Sequence, residues 1–309
     1  MNGPILVGVD GGGTRSTLVV ADADGRELAR AAGEAGLVDP RDPERSARII
    51  ADLARTALEQ AGVRELPAAI CAGLAGVGNE AERLAVHDAL QASGVARRVR
   101  VVTDGEIALE GAFAGGPGIL LIAGTGSVAY GRAADGRMER CGGWGMIVGD
   151  EGSGFALGRD GLKAALRSVD GREPPTVLLD GILRALGVDN PREVPPWAGR
   201  VAKSEIAALA RVVLDAAEQG DGVARGVVQS AAVELSRHVT ALADRLAPWP
   251  GEVPVVFHGG VLRSPLYQAL LTRELAIGAR TFAVEPPRMD AVFGALRYAA
   301  ALVSAEAPA

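Results

Sequence analysis

At 309 residues, with 48% apolar side chains and a formal net charge of −6, the chain is longer than one hydrophobic core usually supports and apolar enough to build two. Its acidic balance disfavours a nucleic-acid binder, which concentrates Lys and Arg on one face. Apolar stretches such as residues 118–123 are strand-sized, far short of the ~20 residues that cross a bilayer, so neither nucleic acid nor membrane is an expected partner and small molecules are.

The chain enters an apolar run, Ile5 to Val9, without a basic head or cleavage site, from which a cytoplasmic protein is expected. This strand turns through Asp10-Gly11-Gly12-Gly13-Thr14 into a second strand, and Asp24-Gly25 makes a tight hairpin into a third. A helix of apolar period (44–61), a buried strand (68–73), a helix (80–93), a strand (100–103) and a helix (106–114) follow. The order is βββαβαβα, and residues 1–115 read as one domain. Arg97, Arg98 and Arg100 read as exposed helical positions on a solvated face.

The same plan then recurs over 116–289. Gly13-Thr14-x-Ser16 realigns on Gly124-Thr125-x-Ser127, and Ala23-Asp24-Gly25-Arg26 on Ala134-Asp135-Gly136-Arg137. Strands at 253–257 and 280–283 flank a helix at 265–276, and a helical insert of about 154–246 stretches the second copy. A last helix, about 290–303, is expected to pack back on the first domain. Strands alternating with helices imply sheets covered on both faces with ligands at the carboxyl ends of the strands, two such domains facing a central cleft. Cys71 and Cys141, far apart and without CxxC spacing, read as reduced, buried thiols. Together with the scattered His87, His238 and His258 they make no zinc site.

Glycines remove Cβ atoms and permit positive φ, so backbone N–H groups can converge on an anion. Residues 10–14 are not a P-loop, which needs a lysine, and the only lysines are Lys163 and Lys203. They are not a dinucleotide fingerprint either, because a strand follows instead of a helix. One glycine turn between strands could be a plain hairpin; its duplication at Gly124-Thr125-Gly126-Ser127 suggests two turns that hold a triphosphate from both sides. An acid beside phosphates repels them unless a divalent cation intervenes, so Asp10 reads as a Mg²⁺ anchor acting through water. The alternative is an Asx-turn acid that satisfies its own backbone.

"VGVDGGGTRSTLVV" resembles the first phosphate motif of the sugar-kinase, hsp70 and actin superfamily, "GILLIAGTGSVAYG" its second, and "VVFHGGVLRS" its adenosine motif. "TDGEIAL" followed by "GGWGMIVGDEGSGFALGRDGL" resembles N-acetylglucosamine kinases and the related BadF/BadG-type ATPases. The resemblance implies two ribonuclease H-like (actin-like ATPase) domains of α/β class, ATP with Mg²⁺, an amino-sugar substrate, and a homodimer formed through the insert. It places Gly11, Gly12, Gly13 and Thr14, then Gly124 to Ser127, on the phosphates, and Gly259 and Gly260 beside the nucleoside.

Asp104 stands just past the strand at 100–103, and phosphoryl transfer to a hydroxyl asks for a carboxylate there to take the proton. A helix N-cap ahead of Glu106 is the competing reading. By resemblance Thr125, Trp144, Gly145 and Asp150 contact the sugar, with Glu151 either touching it or ordering the loop. An aromatic face and carboxylate acceptors suit a sugar, whereas core packing and helix capping would explain the same residues blandly. His258 reads as a packed or loop histidine, and His238, mid-helix between Leu235 and Leu242, as structural. The family's asparagine after strand three and serine after strand four are replaced here within Ala35-Gly36-Leu37-Val38-Asp39 and Gly73-Leu74-Ala75-Gly76, which bears on substrate choice. Two alternatives stand beside the kinase: an ATPase activator with an iron–sulfur cluster bridging a dimer, and a sugar sensor without turnover.

Overall fold

The computed structural model describes residues 3–304. Its contacts divide the chain into two units, one comprising the residues up to Gly116 with those from Pro287 onward, the other Pro117–Pro286.

Unit one holds β1 (Leu6–Gly11), β2 (Ser16–Ala21), β3 (Glu27–Gly33), α1 (Pro43–Gln60), β4 (Ala69–Leu74), α2 (Glu80–Ala92), β5 (Arg98–Thr103) and α3 (Asp104–Phe113). The sheet order is β3-β2-β1-β4-β5, antiparallel over the hairpins and parallel from β1 to β4 and β5. Strand residues alternate between two faces, and each face is buried. Val7, Val9, Leu18, Val20, Ile70 and Ala72 join the core under α1 and α2. Leu6, Val19, Ala21, Ala69 and Cys71 join a second core closed by Val292, Ala295, Leu296 and Ala299 of a terminal helix.

Unit two repeats the arrangement with β6 (Gly118–Ala123), β7 (Ser127–Arg132), β8 (Met138–Gly142), β9 (Val253–His258) and β10 (Phe282–Val284), in the order β10-β9-β6-β7-β8. Both second hairpins turn on the glycine of the repeated Asp-Gly pair, Gly25 at φ 80° and Gly136 at φ 88°, values natural to glycine in tight turns. Between β8 and β9 the insert supplies α4 (Gly154–Val169), α5 (Leu178–Leu186), α6 (Val194–Ala198), α7 (Lys203–Ala208), α8 (Ala210–Glu218) and α9 (Gly222–Arg245). Helix α10 (Pro265–Leu275) follows β9, and α11 (Ala291–Ser304) is the terminal helix of unit one. Where α4 crosses α7, a Cβ on Gly158 would lie 2.0 Å from the Ile206 carbonyl oxygen, so only glycine allows that approach.

Two expectations are corrected. Arg98 and Arg100 lie on strand β5, with Arg97 just before it, not on a solvated helix. Arg98 donates to the Leu302 carbonyl, and the Arg100 guanidinium stacks 4.3 Å from the centre of the Tyr298 ring. Long cationic side chains here cover an apolar helix with their stems. Cys71 is buried as expected, but Cys141 is only half-buried, because it sits on the edge strand β8.

Candidate active site

In unit one the first glycine turn is shorter than the motif suggests. Gly11 is still in β1, and the turn proper runs from Gly12 to Arg15, closed by the Gly12 N–H donating to the Arg15 carbonyl at 3.0 Å. Gly13 and Thr14 are exposed there. Asp10 is a strand residue, opposite Thr17 on β2 and Gly73 on β4. Its carboxylate has no hydrogen-bond partner among the described residues, which removes the Asx-turn reading. Burial, and then the nearby Asp104 carboxylate, push its pKa up to about 6 against a small opposing pull from Arg15.

Asp104 is the first residue of α3, and the cap is Thr103. The Thr103 hydroxyl accepts from the Glu106 N–H at 3.1 Å while the Glu106 carboxylate accepts from the Thr103 N–H at 2.8 Å, a capping box. With the cap supplied by its neighbour, Asp104 is free of that duty; its carboxylate accepts from the Gly105 N–H at 2.9 Å and from its own backbone N–H. Burial raises its pKa despite those bonds. A third acid, Asp290, immediately before α11, also adds to the rise at Asp10. It belongs to the chain's last segment, and no local signal ties it to residues 10 and 104. Unit one thus gathers unneutralised carboxylates at the carboxyl ends of β1 and β5. Among the described residues no group of three or more His, Cys, Asp or Glu has the spacing to hold a metal ion directly.

The replaced family contacts also meet in unit one. The Val38 N–H donates to the Ala75 carbonyl at 2.9 Å, and Val38 itself is buried. Asp39 is exposed and its carboxylate accepts from the Arg41 N–H at 2.9 Å.

In unit two the second turn is fastened to the loop before α4. The Ser127 hydroxyl donates to the Glu151 carbonyl at 2.6 Å, so its side chain serves the scaffold. The Gly124 carbonyl accepts from the Gly154 N–H at 2.7 Å, and the Thr125 carbonyl from the Phe155 N–H at 3.2 Å. Ser153 caps α4 through the Ala156 N–H. Tyr267, fully buried, donates to the Gly152 carbonyl at 2.6 Å.

Asp150 departs from the expectation of an open sugar acceptor. It is 4% exposed, with the unusual φ of 59° for a non-glycine residue. One carboxylate oxygen accepts from the Ser127 N–H at 3.1 Å, the other from Lys203 Nζ at 2.5 Å. Glu151 is half-exposed with its carboxylate 3.6 Å from His238 Nε2. His238 is buried in α9 and its Nδ1 lies 2.9 Å from the Glu234 carbonyl, so it packs as expected but also backs Glu151. Trp144 is 67% exposed, beside the exposed Ile147 and Val148; one face of its ring meets the Arg140 guanidinium at 5.2 Å, and Gly145 is next to it in the same open loop.

Gly259 adopts φ 109°, and a Cβ there would lie 2.2 Å from the Ala123 carbonyl oxygen. Gly260 lines a groove of about 780 Å³ together with Gly124, Thr125, Gly154, Ser204 and Ser264. Its walls come from α7, α8 and the start of α10, and its floor is the second glycine turn. That is the size and polarity of a site for a small polar ligand. His258 ends β9 in an exposed position.

The sequence pattern of the BadF/BadG/BcrA/BcrD ATPase family matches residues 7–299. The chain is 35% identical over 265 residues to the N-acetylmuramic acid/N-acetylglucosamine kinase of Clostridium acetobutylicum, spanning 85% of this chain and 87% of that protein. It is 28% identical over 291 residues to the N-acetyl-D-glucosamine kinase of Dictyostelium discoideum, spanning 89% and 91%. A crystal structure of an N-acetylglucosamine kinase candidate from Chromobacterium violaceum matches with a TM-score of 0.78 at 31% identity, covering 95% of this chain and 98% of that one.

Proposed function

Because the chain belongs to the BadF/BadG/BcrA/BcrD ATPase family, we propose that it is an ATP-dependent amino-sugar kinase, transferring the γ-phosphoryl group to a hydroxyl of N-acetylglucosamine or glucosamine, O6 foremost. The observation that carries the reading is Asp104: a buried carboxylate with a raised pKa at the carboxyl end of β5, released from capping by Thr103. A base of that kind accepts a hydroxyl proton better than an ordinary exposed aspartate.

The other roles follow from the chemistry of each place. Gly13 and Thr14 in one turn and Thr125 and Gly126 in the other present backbone N–H groups to phosphate oxygens, while the Gly12 and Gly124 N–H groups close the turns on the Arg15 and Gly126 carbonyls and Gly11 and Ser127 set the geometry of each. The groove beside Gly259 and Gly260 takes the nucleoside. Thr125, Trp144 with Gly145, and Glu151 form the sugar side, whereas Asp150, buried with both carboxylate oxygens bonded, braces the second turn behind them; the exposed Trp144 ring offers a stacking face. Mg²⁺ fits beside Asp10, a carboxylate with no protein partner and raised pKa, held mainly by phosphate and water oxygens. When bound, it would neutralise phosphate charge that Asp10 and Asp104 otherwise repel.

A coupled ADP-release assay over N-acetylglucosamine, glucosamine, N-acetylmuramic acid and glucose tests the proposal, with turnover expected on the amino sugars. Asp104→Asn is expected to lower kcat by roughly 10²–10⁴ while the KM for ATP stays within a few-fold. No turnover with any amino sugar refutes the kinase, and unchanged kcat in the variant removes Asp104 as the base.

A further inference from the structure

The chain uses arginine for nearly all its positive charge: of 32 Lys and Arg side chains only Lys163 and Lys203 are lysines. Lys163 is an exposed helix residue pairing with Asp160 three positions earlier. Lys203 is placed quite differently. It opens α7, a short helix of the insert, and its ammonium reaches the second glycine turn, where a Cβ on Gly126 would lie 3.2 Å from Nζ. The glycine and the lysine fit one another, because a side chain at 126 would crowd both Nζ and the Asp150 carboxylate, 2.6 Å away.

We propose that Lys203 is a phosphate-binding residue, the cation that the glycine turn lacks in its own sequence; this rests on the reading of the protein as an ATP-dependent kinase. An ammonium carries three donors. One is given to Asp150 at 2.5 Å, and the others have no acceptor among the described residues. The side chain is 31% exposed, open enough to meet a ligand, while its carboxylate partner is 6% exposed and holds it from behind. The same Asp150 carboxylate accepts from the Ser127 N–H, so the cation and the turn share one anchor and are held in mutual register. Ser204, the next residue, lines the groove together with Gly124 and Thr125. A nucleotide seated there with its phosphates on the turn brings their oxygens to the ammonium. Lysine binds phosphate as a compact point charge on a flexible stem, the form in which glycine-loop lysines meet nucleotide phosphates.

The competing account is that the pair only pins α7 to the turn. Calorimetric titration of the full-length protein with Mg-ADP and with adenosine separates the two. Lys203→Met strands a buried carboxylate and is open to misfolding, so the measurement is repeated on Asp150→Asn/Lys203→Met, which removes both charges and keeps an acceptor for the Ser127 N–H. ADP is expected to bind roughly 10- to 100-fold more weakly, the range for losing a charged hydrogen bond, with adenosine changed less than about twofold. Equal weakening of ADP and adenosine, or undiminished ADP affinity in the double variant, overturns the assignment. Wild-type protein that binds ADP but phosphorylates no amino sugar would remove the proposed function and leave Lys203 where it is placed here.

Discussion

Asp10 has a cost that its position makes measurable. Its folded pKa, about 6, lies above the ordinary value of 3.8, so the folded state binds the proton more tightly than the unfolded one. Its contribution is most favourable below pH 3.8, declines as pH rises through 3.8 to 6, and is flat above. About two units at 1.36 kcal/mol each sets a ceiling of about 3 kcal/mol. In chelator-treated protein, Asp10→Asn is therefore expected to raise the melting temperature by several degrees at pH 7.5 and to leave it nearly unchanged at pH 4; a lower melting temperature at pH 7.5 would contradict the burial argument. Asp10 and Asp104 could be picked out from sequence because each ends an apolar strand run. Asp290 and Lys203 could not. Lys203 meets Asp150 across 53 positions, and no spacing rule links a residue at the start of a short helix to a distant glycine turn.

Elements show where local patterns suffice and where packing overrides them. The repeated hairpins were readable because Asp-Gly turns and strand alternation are local signals. Arg98 and Arg100 misled because basic residues on a strand look solvated until Tyr298 and Leu302 of α11 are set against them. Likewise the cap stood as the competing reading of Asp104 until Thr103 and Glu106 were seen to close the box. The crossing of α4 and α7 gives a test at this scale. Alanine is intrinsically better than glycine in a helix by up to ~1 kcal/mol, yet Gly158→Ala must displace Ile206 and with it α7, the helix that carries Lys203. The expected outcome is a lower melting temperature and a KM for ATP raised more than the KM for sugar; a stabilised variant with unchanged kinetics would show that α7 can shift freely.

Taken as a whole molecule, the chain builds its first unit from two separated stretches. The sheet core formed by Leu6, Val19, Ala21, Ala69 and Cys71 is covered only when Val292, Ala295, Leu296 and Ala299 arrive. A chain stopped after Pro286 is expected to leave this face bare and to lose cooperative folding in unit one. Cys71 reports it directly: burial pushes its thiol up to about 12 in the complete protein, so alkylation there should be slow in the full chain and rapid in the shortened one. Equal labelling rates would show that α11 is dispensable.

The same discontinuity imposes an order on synthesis. The early strands leave the ribosome first, but their covering helix is translated only after Pro117–Pro286, a wait on the order of ten seconds or more at ordinary elongation rates. During that interval the later-made unit has all its own parts, while the earlier one carries a greasy open flank that chaperones would have to shelter. Reactivity of Cys71 in stalled nascent chains, falling once residues 291–304 have emerged, would time the handover.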